Sequence, residues 1–397
     1  MAHRVLVGGT SYNVVSGKSM VSGTAYNIKS GRVLAGGTAY NITFQKPHTA
    51  MLYSDGSMVF QRGDSVESGK TLVNSYTGFE SVNYEGYSNV PWNMQRQNIV
   101  NVTFKDEISP VSLSYWFNYC LNITSMNHSK LNWNSVTNMA YAFYECEKMP
   151  GTPTCGSNVT NMHYAYYHCT NLTGSPVCGS KVTSMRNAYY NCFNLNGKAL
   201  CGSNVNNFSG AYYNCTNITG SPVCGSNVTN MRNTYLNCKK LTGSPVCGAN
   251  VTDMYGAYVN CSGLTGKPAC GDKVTDMSNT YRLCSNLAGP AICGNNVKNM
   301  SCTYFNCKNI GGNAYFYSPN VSNVRSCFQM KDNAKRLNIY VPSGSTTNTK
   351  THLTNTLSIV GMAITWTDAG SYQYNTAYNV YIYPVSNVAA SRAANGD

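Results

Sequence analysis

A step of 23 residues runs through the middle of the chain and constrains its fold more than any other feature. One cysteine ladder is Cys146, Cys169, Cys192, Cys215, Cys238, Cys261, Cys284 and Cys307, and a second is Cys155, Cys178, Cys201, Cys224, Cys247, Cys270 and Cys293. An aromatic column keeps the same step through Phe143, Tyr166, Tyr189, Tyr212, Tyr235, Tyr258, Tyr281 and Tyr304. So do a valine column from Val136 to Val297, a methionine column from Met139 to Met300 broken by Phe208, and a Leu/Ile column from Leu172 to Ile310. Repetition of this kind marks a solenoid, because a unit this short cannot bury enough apolar surface to offset its own ordering entropy. Such units must stack, sharing apolar faces and backbone hydrogen bonds with both neighbours.

Within one unit, Leu241 to Cys247 predicts a short strand, and the Gly-x-Asn/Lys stretch after it a turn. Val251, Met254, Tyr258 and Cys261 then recur at steps of 3, 4 and 3, which predicts one face of a short helix or 3₁₀ segment. The expected fold class is a β-rich α+β solenoid. The pattern V-T-x-M-x-x-x-Y/F-x-x-C-x-x-L resembles the BspA-type leucine-rich repeat over about residues 140–310. That resemblance implies an array used for adhesion rather than catalysis. One departure is the Gly-x-Pro/Ala-x-Cys stretch, which replaces the family's apolar-Pro strand ending. Trp116 to Ile123 predicts a degenerate opening coil, 26 residues ahead of its equivalent, and Val321 to Phe328 a closing coil at a 24-residue step.

The flanks differ in pattern. Residues 1–44 repeat Gly-Thr-Ser/Ala-Tyr-Asn-Val/Ile around Tyr12, Tyr26 and Tyr40, which predicts short strands separated by Ser-Gly-Lys/Arg turns. This tandem leader is similar to N-termini of phage tail-associated proteins, which implies attachment or oligomerisation. Asp55-Gly56 between alternating apolar residues predicts a hairpin over 51–60. Leu337–Pro342, Ala363–Thr367 and Asn379–Tyr383 predict strands of a C-terminal β cap. The expected division is 1–44, a hairpin linker and N-terminal cap at 45–97, the solenoid at 98–335 and the cap at 336–397.

Charge narrows the function. Charged residues make up only 11%, against roughly 25% in an average soluble domain, and the 31 tyrosines with Asn, Ser and Thr supply the polar surface instead. The formal charge of +13 is dispersed, its longest run being Lys239-Lys240, which argues against a nucleic-acid partner. No apolar run reaches the length of a membrane span, so no insertion is expected. No apolar leader follows Met1-Ala2-His3-Arg4, which points to synthesis in a cytoplasm where thiols stay reduced.

The candidate chemistry is sparse. No C-x-x-C occurs, so neither a metal site nor a cofactor is expected from cysteine spacing. Stacked cysteines would come close enough to bridge, but their parallel Cβ vectors disfavour it. Buried thiol columns are expected instead, with Cys169, Cys178, Cys192, Cys201, Cys215, Cys224, Tyr189, Tyr212 and Tyr235 as the core ladder. His163 and His168 beside Cys169 suggest a nucleophile only superficially, since the other cysteines of that ladder lack a histidine. No catalytic residue is expected, and Glu145 with Glu147 reads as a solvated edge. Asn158 and Asn227 begin glycosylation-type triplets but are expected to serve turns, where Asn tolerates left-handed backbone.

Binding is what such an array suits. Positions the core does not dictate hold Tyr164, Tyr167, Arg186, Tyr190, Tyr213, Arg232, Tyr255 and Arg282, the candidate ligand contacts. Tyr and Arg are good contact residues, and a weakly basic tyrosine-rich face suits a surface glycan or a protein receptor. The function expected is a phage virion protein, tail-tip or fibre-like, that recognises a host surface. It would be held to other virion proteins through 1–44 and be homo-oligomeric. The alternatives are a capsid or tail decoration protein and a bacterial surface adhesin.

Overall fold

A computed structural model describes residues 46–328, 337–345 and 382–397 in full, together with the backbone of strands at 2–42, 373–375 and 380–381. At the N-terminus, each 14-residue unit is a two-stranded antiparallel hairpin. The pairs are β1 (Ala2–Val7) with β2 (Thr10–Val15), β3 (Lys18–Val21) with β4 (Thr24–Asn27), and β5 (Gly31–Ala35) with β6 (Thr38–Ile42). The Ser-Gly pairs expected as turns lie between hairpins. Lys18 and Gly31-Arg32 belong to strands that the period-14 reading had placed in turns.

The hairpin at Asp55-Gly56 forms between β7 (His48–Tyr53) and β8 (Ser57–Arg62). Asp55 caps it by accepting from the Ser57 N–H at 2.9 Å. Gly56 has φ +81°, and a Cβ there would sit 2.6 Å from Val100 Cγ2, so both backbone and packing require glycine. β9 (Leu72–Thr77) pairs with β7, and β10 (Asn101–Phe104) pairs parallel with β8 and with β11 (Ser125–Asn127). The change from antiparallel to parallel pairing is where the chain begins to wind. Phe60, Phe79, Phe104, Trp92 and Trp116 fill this end, with Phe60 stacked on Phe104 at 4.6 Å and the Trp92 indole N–H donating to the Trp116 carbonyl at 2.6 Å.

Beyond it, parallel bridges join Ser112, Asn138, Asn161, Ser184, Asn207, Asn230, Asp253, Asp276, Asn299 and Asn323 in succession. The segment expected to be helical is not a helix. In the coil at 185–192, Met185, Asn187, Tyr189 and Asn191 donate their N–H groups to Asn207, Ser209, Ala211 and Tyr213 of the next coil at 2.8–2.9 Å. The alternate residues Ala188, Tyr190 and Cys192 instead donate three residues back, to Met185, Asn187 and Tyr189. The result is a chain of tight turns with two left-handed residues per coil, here Asn187 (φ 52°) and Asn191 (φ 60°). It turns Met185, Tyr189 and Cys192 inward at steps of 4 and 3, as a helix would, while its backbone bonds run between coils.

The strand expected from Leu to Cys forms only at the far end, as β12 (Gly289–Cys293) and β13 (Ile310–Phe316). Elsewhere the segment is extended but unpaired, and the tyrosine column satisfies it. The Tyr189 hydroxyl donates to the Val177 carbonyl at 2.7 Å and accepts from the Val177 N–H at 3.0 Å. Tyr166, Tyr212, Tyr235, Tyr258, Tyr281 and Tyr304 repeat this on Thr154, Leu200, Val223, Val246, Ala269 and Ile292. Where the residue twelve places earlier has another partner, the column holds Phe. Leu131 N–H, facing Phe143, bonds to His128, and Phe316, facing Phe328, lies in β13.

All described cysteines are free. In the first ladder Cys169, Cys192 and Cys215 are fully buried, each thiol donating at 2.9–3.0 Å to the carbonyl of the aromatic residue one coil back. The second ladder departs from the expected burial: Cys155, Cys178, Cys201, Cys224, Cys247 and Cys270 are only half-buried. They lie against the glycine of the next coil, and a Cβ on Gly225 would meet Gly202 O at 2.8 Å and Cys201 Sγ at 3.1 Å. Asn158 and Asn227 do serve the turn, but by donating side-chain N–H to the carbonyls of Asn134 and Ser203 one coil back rather than through left-handed backbone.

After the closing coil, β14 (Leu337–Pro342) continues the parallel sheet from β13 to β16 (Val380–Val385), with β15 (Gln373–Asn375) antiparallel at its edge. The strand expected at Ala363–Thr367 lies outside the described residues. A helix absent from the sequence reading, α1 (Val388–Ala394), is capped by Asn387. Asp397 then accepts from the Tyr315 hydroxyl at 2.7 Å and the Asn313 amide at 2.6 Å on β13.

Candidate interaction surface

The turn chain points its non-core positions outward in two columns, two and five residues beyond each methionine. Tyrosines fill both at the N-terminal end. One row stacks Tyr115, Tyr141 and Tyr164 at 4.7 and 4.9 Å. The other stacks Tyr144, Tyr167, Tyr190 and Tyr213 at 4.6, 4.8 and 4.1 Å, with Tyr119 edge-on to Tyr144. The rows touch, since Tyr164 lies 5.3 Å from Tyr167 and 5.9 Å from Tyr144. Every ring is at least partly exposed.

The backbone does not ask for tyrosine here. The first column is left-handed, and later coils fill it with Asn187, Gly210, Asn233, Gly256 and Asn279, residues suited to positive φ. Tyr115 (φ 61°), Tyr141 (φ 56°) and Tyr164 (φ 55°) hold it against that preference. A disfavoured backbone retained for a side chain that the core does not use points to a role at the surface.

Stacking decides what the rows present. Each inner ring has a neighbour over its faces within van der Waals reach, so a ligand meets edges and hydroxyls. Burial, and then neighbouring rings, raise Tyr141 and Tyr167 above the ordinary phenol range. Tyr190 is raised by burial and then by its hydrogen bond to Tyr213. These groups therefore stay neutral donors well above physiological pH. His163 packs 4.4 Å from the Tyr164 ring, its Nε2 buried without a partner. Burial, and secondarily Arg186, push it down to about 4.

The expected contact residues divide into two groups. Tyr164, Tyr167, Tyr190 and Tyr213 come together, and Arg186 sits 6.0 Å from the Tyr164 ring. Farther along, Arg232 lies 3.9 Å over Tyr255 and 3.5 Å from Asp253, and Arg282 lies 5.2 Å over Phe305. These are local cation–π pairs beyond the continuous stack. Sequence reading missed Tyr115, Tyr119, Tyr141 and Tyr144. Tyr141 and Tyr144 stand 23 residues before Tyr164 and Tyr167, which was the signal available.

Two other features lie off this face or at its margin. A pocket of about 230 Å³ is lined by Met126, His128, Trp133, Phe143, Met149 and Pro150, among others, with the Trp133 indole donating to His128 Nδ1 at 3.3 Å. Glu145, Glu147 and His168 bring potential metal-ligand atoms within 4.8 Å of one another. Cys169 beside His168 is no nucleophile: its buried thiol is bonded to the Phe143 carbonyl, and burial raises it well above the ordinary thiol range. No helix among the described residues is long and apolar enough to cross a membrane.

Residues 92–176, 111–221, 160–269 and 252–366 match the family described as "Mycoplasma protein of unknown function, DUF285". No curated protein matches the chain. Among solved structures it is similar to a leucine-rich repeat protein from Eubacterium ventriosum, with 14% identity over 75% of this chain and 83% of that one and a TM-score of 0.35. It is also similar to a leucine rich cell surface protein from Faecalibacterium prausnitzii, with 12% identity over 92% and 98% and a TM-score of 0.34.

Proposed function

The chain belongs to the DUF285 family, whose description assigns no activity, and on that footing we propose that it is a non-enzymatic recognition protein of the bacterial surface. It binds a protein partner through the two stacked tyrosine rows. The observation that carries this reading is the stack itself: half-exposed rings held in a left-handed column that other coils give to Asn and Gly. A row of aromatic edges tipped by hydroxyls resembles an antibody paratope in its chemistry, with large rigid contact area at low entropy cost. A sugar ring stacks on exposed aromatic faces, and here those faces are covered by neighbouring rings. The dispersed positive charge adds a weak, salt-screened attraction.

Of the settings expected from the sequence, the surface adhesin is put forward. The tail-tip virion reading rests on sequence features alone. The test uses the intact chain on bacterial envelopes and animal-cell membranes, untreated, protease-treated or periodate-oxidised. Saturable binding that survives periodate and high salt but is lost to protease is expected. Binding lost to periodate and kept after protease would replace the protein partner by a glycan.

A further inference from the structure

We propose that Glu145, Glu147 and His168 form a binding site for one divalent transition-metal ion of the zinc class, at the margin of the tyrosine face. The cysteine spacing gives no hint of it, because the three ligands come from two coils and meet only once the coils stack. His168 Nδ1 lies 2.7 Å from Glu145 Oε2 and 3.8 Å from Glu147 Oε1. Ligand atoms around a tetrahedral zinc ion at its usual bond lengths are about 3.4 Å apart. Small side-chain rotations therefore turn this triangle into a coordination face. One imidazole and two carboxylates is a donor set that zinc accepts while keeping a fourth position open.

Stacking alone accounts for only part of the cluster. Glu145 and His168 stand in a column that later coils fill with Asn191, Asn214, Asn237 and Asn260. There each amide donates to the one before, as Asn214 to Asn191 at 2.8 Å and Asn237 to Asn214 at 2.6 Å. That ladder satisfies both the backbone and the side chains. At 145 and 168 it is replaced by a carboxylate and an imidazole, and Glu147, outside the column, adds a second carboxylate that the ladder does not use. No acidic residue follows until Asp253, whereas Lys148, Lys181, Arg186, Lys198, Arg232, Lys239 and Lys240 intervene. The side chains of Glu145, His168 and Glu147 are 18%, 30% and 45% exposed, so an ion reaches them from solvent. The open position faces outward next to Tyr167, whose ring is 6.3 Å from that of His168. Water fills it in the free protein, and a partner's side chain can replace the water.

The experiment titrates Zn²⁺ and Co²⁺ into the intact chain, kept reduced with a non-thiol reductant, in competition with a chromophoric chelator. One equivalent of Zn²⁺ is expected. His168→Asn and Glu147→Gln should each weaken it by at least about tenfold. His168→Asn installs the residue the column carries in the next coil, so its unfolding midpoint should match the wild type. The Co²⁺ complex should show no sulfur-to-cobalt charge-transfer band. Binding unchanged in His168→Asn, a sulfur charge-transfer band on the tight equivalent, or no tight equivalent at all would each overturn the site.

Discussion

At the residue scale, one hydroxyl group explains much of the core. Tyr189 is wholly buried, yet its hydroxyl serves the N–H and carbonyl of Val177 in a segment with no strand partner. Tyr189→Phe keeps the ring stack and leaves both groups unmet. It should cost about 1–3 kcal/mol in chemical denaturation, whereas the same change is already present at Phe143, where the backbone is otherwise satisfied. The histidines give a pH signature. His163 is pushed down to about 4 by burial, so the unfolded chain takes up its proton at higher pH than the folded one. Stability from this group is therefore complete above the ordinary histidine pKa of about 6.5 and declines as pH falls from there towards 4. His128, also lowered by burial, acts in the same direction. Thermal unfolding from pH 7 to pH 4 should show a loss on the order of 1–2 kcal/mol after allowance for partial exposure, and His163→Gln should flatten it.

At the scale of the element, the lesson lies in the segment read as helical. Steps of 3, 4 and 3 bring apolar residues to one side in a helix, and the turn chain does the same by alternating right- and left-handed residues. Hydrophobic spacing cannot separate the two. The signal that could is the second periodicity, the asparagines at 187, 191, 214, 233, 237, 260, 279 and 306, all left-handed in the structure. The inward columns from Val to Cys were legible because burial alone sets them. The absence of a strand between Leu241 and Cys247 was not, because a tyrosine hydroxyl twelve residues away replaces the ladder. One position breaks the asparagine column without gain: Leu283 sits at φ 65° between Asn260 and Asn306. Leu283→Asn should relieve the backbone and extend the amide ladder, raising stability by about 1 kcal/mol in urea unfolding. An unchanged or lower midpoint would mean that the leucine packs better than its place in the column suggests.

At the scale of the whole molecule, the two ends differ in what they expose. Early coils carry stacked tyrosines, and later coils carry isolated arginine–aromatic pairs such as Arg232 with Tyr255. The core columns run through both without change, so the difference belongs to the surface. Half of the candidate site was visible as variable columns in the sequence; the rest, Tyr115, Tyr119, Tyr141 and Tyr144, lay in coils whose 25- and 26-residue spacing hid the alignment. The most direct measurement is the binding curve of the intact chain, and of a variant with Tyr164, Tyr167, Tyr190 and Tyr213 all changed to Phe, on the same membrane preparation. The replacement keeps the ring stack and removes the hydroxyls. Binding weakened by at least about tenfold, the sum of a few lost hydrogen bonds, with an unfolding midpoint close to the wild type, is the predicted result. Equal binding by both proteins would contradict the tyrosine face as the contact surface.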